Sequence, residues 1–207
     1  MPDSKIKNLV FDLGGVILDL SIDDTLKSFS ELSGLNKPEV EKIFHSTPGF
    51  LLYEKGLMTD AEFRDFVRQV YRIQTDDAAL DKSWNAMLLG IPMEKLNLLH
   101  TLKTRFNVFL LSNTNNIHIQ HINGKMLPAI SGDSSLDPFF HKTYYSHVMK
   151  KRKPDADIFE QVLEENGLLP EETLFLDDNS SNIQGAASLG IQTVHVVTPT
   201  LMLDYFK

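Results

Sequence analysis

Apolar positions along the chain follow two rhythms. Short apolar runs recur at "KNLVFDL" (Lys7 to Leu13), "FNVFLLSN" (Phe106 to Asn113), "ETLFLDD" (Glu172 to Asp178) and "QTVHVVT" (Gln192 to Thr198), with a weaker one at "KTYYS" (Lys142 to Ser146). Runs of this length, with no helical period, read as buried strands. Between the later runs, "DADIFEQVLEEN" places Ile158, Val162 and Leu163 on one helical face, and "NIQGAASLG" offers small residues for close packing. Strands alternating with helices predict an α/β fold: a Rossmann-like parallel sheet covered on both faces.

From about Ser21 to Pro92 the rhythm changes. "DDTLKSFSELSGL", "PEVEKIFHS", "TDAEFRDFVRQVYRI" and "AALDKSWNAMLLG" are four amphipathic helix patterns with no strand pattern among them. Thr59 before Asp60, with Glu62 in the first turn, marks a helix start. The expected organisation is therefore a core built from residues 1–20 and 93–207, with an all-helical domain, 21–92, inserted after the first strand. Trp84, Phe63 and Phe66 fall on these helices and read as core residues.

Composition narrows the function. The 207 residues suffice for one core domain with an insert. There is no cysteine, which excludes disulfides and thiolate-ligated metals. A formal charge of −8 leaves no electrostatic footprint for nucleic acid and little attraction to an anionic membrane. "MPDSKIKNLVFDLGG" lacks a signal-peptide pattern, and no apolar run approaches the roughly 18 residues of a membrane span. A cytoplasmic protein is expected; oligomeric state is left open.

Chemistry gathers at the strand ends. In open α/β sheets ligands bind beyond the carboxyl ends of the strands. The first run ends in Asp12, the second in Ser112, Asn113 and Thr114, and the third in Asp177 and Asp178. If these strands are neighbours, carboxylates converge, and clustered carboxylates repel unless a cation binds or one takes a proton. Oxygen-only ligands suit magnesium. Lys153, just before Pro154, supplies a positive counterpart. Acids, a divalent cation, a lysine and a Ser–Asn turn describe a phosphate site. Gly14 and Gly15 clear side chains from its floor.

These residues resemble the haloacid dehalogenase superfamily of phosphatases over essentially the whole chain. "FDLGGV", "LLSNT", "RKPDADIF" and "FLDDNSSNIQGAASLGI" occur in the order of its four motifs, and the helical insert resembles its small α-helical cap. "YEKGLMTDAEF" and the terminal "LDYFK" are similar to the branch containing bacterial α-glucose-1-phosphate phosphatase and the N-terminal domain of soluble epoxide hydrolase. The resemblance implies a magnesium-dependent phosphatase acting on a small metabolite, such as a sugar phosphate. It makes Asp12 the nucleophile that forms an aspartyl-phosphate. Asp12, the Gly14 carbonyl and Asp178 become metal ligands, with Asp177 a second acidic ligand through water. Ser112 and Asn113 hold the phosphoryl group, and Lys153 neutralises it together with Asp12.

The sequence departs from the pattern at one place. Most of these phosphatases carry a second aspartate two residues after the nucleophile, as acid and base; here that position is Gly14. Asp19 lies seven residues beyond the nucleophile, past the turn. The same resemblance admits a magnesium-free dehalogenase, against which the pair Asp177–Asp178 argues, and a non-catalytic binding protein, against which Asp12, Ser112, Lys153 and Asp178 argue together. His118 and His121 share a helical face and read as structural rather than metal-binding. Lys150, Lys151 and Arg152 read as a solvated or substrate-facing run. Tyr53 and Glu54, before Gly56, are candidate substrate contacts.

Overall fold

A computed structural model describes residues 2–207. The chain forms β1 (Asn8–Phe11) and β2 (Asp19–Leu20), then helices α1 (Ile22–Ser33), α2 (Lys37–Ser46), α3 (Gly49–Glu54), α4 (Asp60–Tyr71) and α5 (Asp77–Trp84), then β3 (Leu88–Gly90). It continues through α6 (Met93–Lys103), β4 (Asn107–Ser112), α7 (Asn116–His121), a π-helical turn at Ile122–Met126, α8 (Leu127–Ile130), β5 (Lys142–Tyr145) and α9 (Ser146–Met149). The last elements are α10 (Ala156–Asn166), β6 (Thr173–Asp177), α11 (Ser180–Ser188), β7 (Gln192–His195) and α12 (Leu201–Tyr205).

Five strands form one parallel sheet in the order β5-β4-β1-β6-β7. Alternate residues of β1 face opposite sides, because successive side chains on a strand do so. Leu9 and Phe11 join a cluster with Leu96, Leu99 and Leu102 of α6 and Met202 of α12. Val10 joins Phe109, Phe175, Ile158 and Phe159 under α10. Both faces are covered, which explains runs apolar at every position. β1 lies in the middle, flanked by β4 and β6, with Asn8 opposite both Asn107 and Thr173. That register brings the ends of β1, β4 and β6 to one edge, where the strand order reverses and α/β sheets bind ligands.

Helices α1 to α5 pack around a core of their own, with Phe29, Phe50, Phe63, Tyr71 and Trp84 at its centre. Helix α4 starts as the sequence indicates: Thr59 and Glu62 form a reciprocal capping box. Two features were absent from the periodicity. Helix α3 has six residues, too few for a helical period to register. Leu88–Gly90 is extended because it pairs antiparallel with β2, so two brief strands cross together between sheet and helices. Among the described residues no helix is long and apolar enough to cross a membrane.

Candidate active site

The residue after β1 is Asp12, whose N–H donates to Leu176 O at 2.9 Å and is thereby tied to β6. The chain then turns back sharply, with Ile17 and Leu18 N–H both donating to Leu13 O. Asp12 is 8% exposed and faces Lys153, which is fully buried. The lysine ammonium has three donors and finds three acceptors: Asp12 Oδ1 at 2.8 Å, Leu111 O at 2.8 Å and Asp177 Oδ2 at 2.7 Å. Its charge also lies 5.2 Å from the Phe175 ring centroid.

Asp177 is fully buried and engaged at both oxygens. Besides Lys153 it accepts from Asn179 N at 2.8 Å and from Asn182 Nδ2 at 3.0 Å to each oxygen. Asp178 lies beside it, and Asp12, Asp177 and Asp178 present oxygens within 4.8 Å of one another. Burial pushes the Asp12 carboxyl up to about 7; Lys153 opposes the shift and Asp177 reinforces it. Burial and then Asp177 also raise Asp178. Burial pulls Lys153 down, but Asp12 and Asp177 outweigh it and hold the ammonium above its usual value. Lys153 thus pairs with two of the three carboxylates, and among the described residues no ion pair reaches Asp178. An all-oxygen cluster with surplus negative charge fits a small hard cation.

The two glycines serve different neighbours. Gly15 has φ +71°, and a Cβ there would lie 2.2 Å from Asp178 Oδ2, so only glycine lets that carboxylate come down on the turn. A Cβ on Gly14 would instead meet Leu20 Cδ1 at 2.5 Å. The space toward which a side chain at position 14 would point is occupied by an apolar group. Asp19 offers no substitute acid, since its Oδ1 accepts from the buried Lys95 at 2.9 Å.

Ser112 ends β4, is almost wholly buried, and lines a chamber beside Gly14. Asn113, expected to hold phosphate, spends its amide elsewhere: Nδ2 donates to Lys153 O and Oδ1 accepts from Lys153 N, both at 3.0 Å. It fixes the lysine loop beneath the site. His118 is no ligand: its ring lies between Asn115 Nδ2 at 3.1 Å and Trp84 O at 3.2 Å, and burial pushes it down to about 4, keeping it neutral. His121 stands apart, half-buried beside Gln120 and Lys125 in another pocket. Trp84 belongs to the helical core and also walls the chamber.

Of the two cap candidates, Tyr53 is buried, donating its hydroxyl to Asp60 Oδ1 at 2.7 Å. Glu54 lines the chamber and receives Arg152 Nε at 2.7 Å. Lys150 donates to the Gly56 carbonyl, and Lys151 pairs with Asp157. Sequence reasoning missed Asn179 and Asn182, which orient Asp177, and Ser146, whose hydroxyl accepts from Thr114 N at 2.9 Å and lies 2.6 Å from Glu54 O. Asn179 carried a legible signal: it caps α11, accepting from Ser181 and Asn182 N–H. Ser146 carried none.

The chain is similar to known proteins over most of its length. A family model described as haloacid dehalogenase-like hydrolase matches residues 6–190. D-ribitol-5-phosphate phosphatase of Bacteroides thetaiotaomicron is 30% identical over 189 residues, covering 91% of this chain and 90% of that protein. The crystal structure of the HAD family enzyme BT-2542 from the same organism, in complex with magnesium and inorganic phosphate, superposes with a TM-score of 0.84 at 39% identity, covering 91% of this chain and 93% of that one. A HAD-like family hydrolase from Porphyromonas gingivalis gives a TM-score of 0.84 at 31% identity, covering 95% and 92%.

Proposed function

The chain belongs to the haloacid dehalogenase-like hydrolase family, and from that premise we propose that it is a phosphatase for a small phosphorylated metabolite of the sugar or polyol kind. The observation that carries the reading is the buried Lys153 held between Asp12 and Asp177, beside Asp178 and under the Ser112 turn. The polyol phosphate named for one relative and the magnesium and phosphate bound in another structure point the same way. Glucose-1-phosphate remains one member of the substrate panel.

In this reading Lys153 grips Asp12 by Oδ1 and leaves Oδ2 to attack phosphorus in line with the departing oxygen. An aspartyl-phosphate forms and the P–O bond to the leaving group breaks; water then cleaves the carboxyl phosphate. The Ser112 hydroxyl donates to a phosphoryl oxygen, and Lys153 offsets the charge gathered there. Asn113 acts by holding the lysine loop. Asp12, the Gly14 carbonyl and Asp178 would hold magnesium directly, with Asp177 behind them. Magnesium, when bound, neutralises phosphoryl oxygens and orients the phosphoryl group for attack. With Leu20 against Gly14, the proton for the leaving oxygen comes from water rather than from a carboxyl group of the turn. Residues 21–92 serve as a cap that closes the chamber and excludes bulk water, and the protein works in the cytoplasm.

The test is phosphate release from ribitol 5-phosphate, glucose 1-phosphate and other small sugar and polyol phosphates, with magnesium and with chelator. Turnover that vanishes in chelator and returns with magnesium is expected. Release indifferent to chelator removes the metal from the reading; release from none removes the phosphatase.

Gly15→Ala should weaken the metal. The left-handed backbone costs a non-glycine residue about 1–2 kcal/mol, and the new Cβ displaces Asp178 Oδ2. The magnesium concentration giving half-maximal activity should rise at least about tenfold, on the scale of displacing a ligand's support. An unchanged midpoint would show that Asp178 is not a ligand.

A further inference from the structure

We propose that Glu54, braced by Arg152, makes this site select phosphate esters whose leaving group is small, neutral and hydroxylated, and reject those whose leaving group carries a second negative charge. The inference rests on the phosphatase reading and adds the residue that discriminates among leaving groups by their charge.

The chamber beside Gly14 and Ser112 has a volume of about 160 Å³. That is about half the lower bound for sites that enclose drug-sized ligands, a size that suits a leaving group of a few carbons. Much of its wall is apolar, formed by Leu20, Ile22, Phe44, Trp84 and Met87. Such a wall packs against the C–H face of a sugar or polyol chain.

Glu54 is the one carboxylate on the lining, and no lysine or arginine shares it. Lys153 turns beneath the chamber to Asp12 and Asp177. Arg152 lies behind Glu54: its Nε donates to Glu54 Oε2 and its Nη1 to Lys153 O at 3.0 Å. His118, the other titratable group on the lining, is buried and neutral with both ring nitrogens engaged. The Glu54 side chain is 28% exposed, and among the described residues Oε1 receives no protein donor. A carboxylate oxygen so placed accepts hydroxyl hydrogens and repels a carboxylate or a second phosphate. It sits on α3 against α9, where Ser146 Oγ lies 2.6 Å from Glu54 O, so backbone and side chain are both anchored to the core.

Glycerol 3-phosphate and 3-phosphoglycerate test this directly, because a neutral CH₂OH in one is a carboxylate in the other. Phenyl phosphate, whose esterifying group is uncharged and carries no hydroxyl, reports phosphatase activity alone. Wild type should prefer glycerol 3-phosphate by at least about tenfold in kcat/KM, the scale of a like-charge contact. Glu54→Gln should shrink that ratio about tenfold, and Glu54→Asp should keep it; a loss of packing would lower both substrates equally. The inference is overturned if wild type accepts both equally or prefers 3-phosphoglycerate. It is equally overturned if Glu54→Gln leaves the ratio intact. Phosphate release from phenyl phosphate in those cases leaves the phosphatase reading standing. No release from any of the three substrates defeats that reading and this one with it.

Discussion

Replacing Asp12 with asparagine is expected to lower phosphate release by roughly 10⁴-fold or more, the scale of loss when a hydrolase is deprived of its covalent nucleophile. The amide keeps the shape and one oxygen for Lys153 but lacks the nucleophilic carboxylate. The fold should survive, since burial already drives Asp12 towards its neutral form. Thermal unfolding in chelator separates this from damage. The folded value of about 7 stands above the ordinary 3.8. Stability from this group is therefore fully present below pH about 4 and is lost as pH rises through about 7. Metal-free wild type should lose Tm relative to Asp12→Asn over that rise. A variant that folds and still turns over substrate at a tenth of the wild-type rate would exclude Asp12 as nucleophile.

Lys153→Met should cost both activity and stability. The methionine fills most of the volume but leaves Asp12 and Asp177 buried side by side without a countercharge, and leaves Leu111 O without this donor. Breaking a buried ion pair from one side costs about 3–5 kcal/mol. For a chain of this size each kcal/mol lowers Tm by about 2–4 °C, so a fall on the order of 10 °C is expected by calorimetry. Lys153→Arg should not rescue it. Three acceptors converge on one nitrogen in a fully buried place, and a planar guanidinium cannot offer three donors from a single atom. Magnesium should restore part of the lost stability to Lys153→Met by supplying positive charge to the same carboxylates. A methionine variant with unchanged Tm would mean that the acids lose their charge without cost.

Particular residues show where local pattern sufficed. The strand runs were legible because a strand buried on both faces must be apolar at nearly every position, so Leu9, Val10 and Phe11 show it without reference to any partner. Thr59 and Glu62 announced a helix start because their hydrogen bonds stay within four residues. Asp12, Ser112, Lys153 and Asp178 stood out because a polar residue directly after an apolar run, or beside a motif proline, breaks a local rule. The brief strand Leu88–Gly90 did not show, because three residues carry no period and its partner lies about seventy positions earlier. Asn113 was given a phosphate role by the motif resemblance, and only contact with Lys153 reveals that its side-chain amide holds the lysine loop.

The sequence by itself determined a parallel α/β sheet, a helical insert and a set of acids, a lysine and a hydroxyl at strand ends, because apolar periodicity and end residues are properties of neighbouring positions. Tertiary structure alone decided that Asp12 and Asp177 share one ammonium, that Asn182 orients Asp177, that Leu20 occupies the space beside Gly14, and that Arg152 braces Glu54 at the chamber wall. Each of these joins residues far apart in the chain or in different elements. Their distances and charges exist only once β1, β4 and β6 lie side by side and the helices close over them.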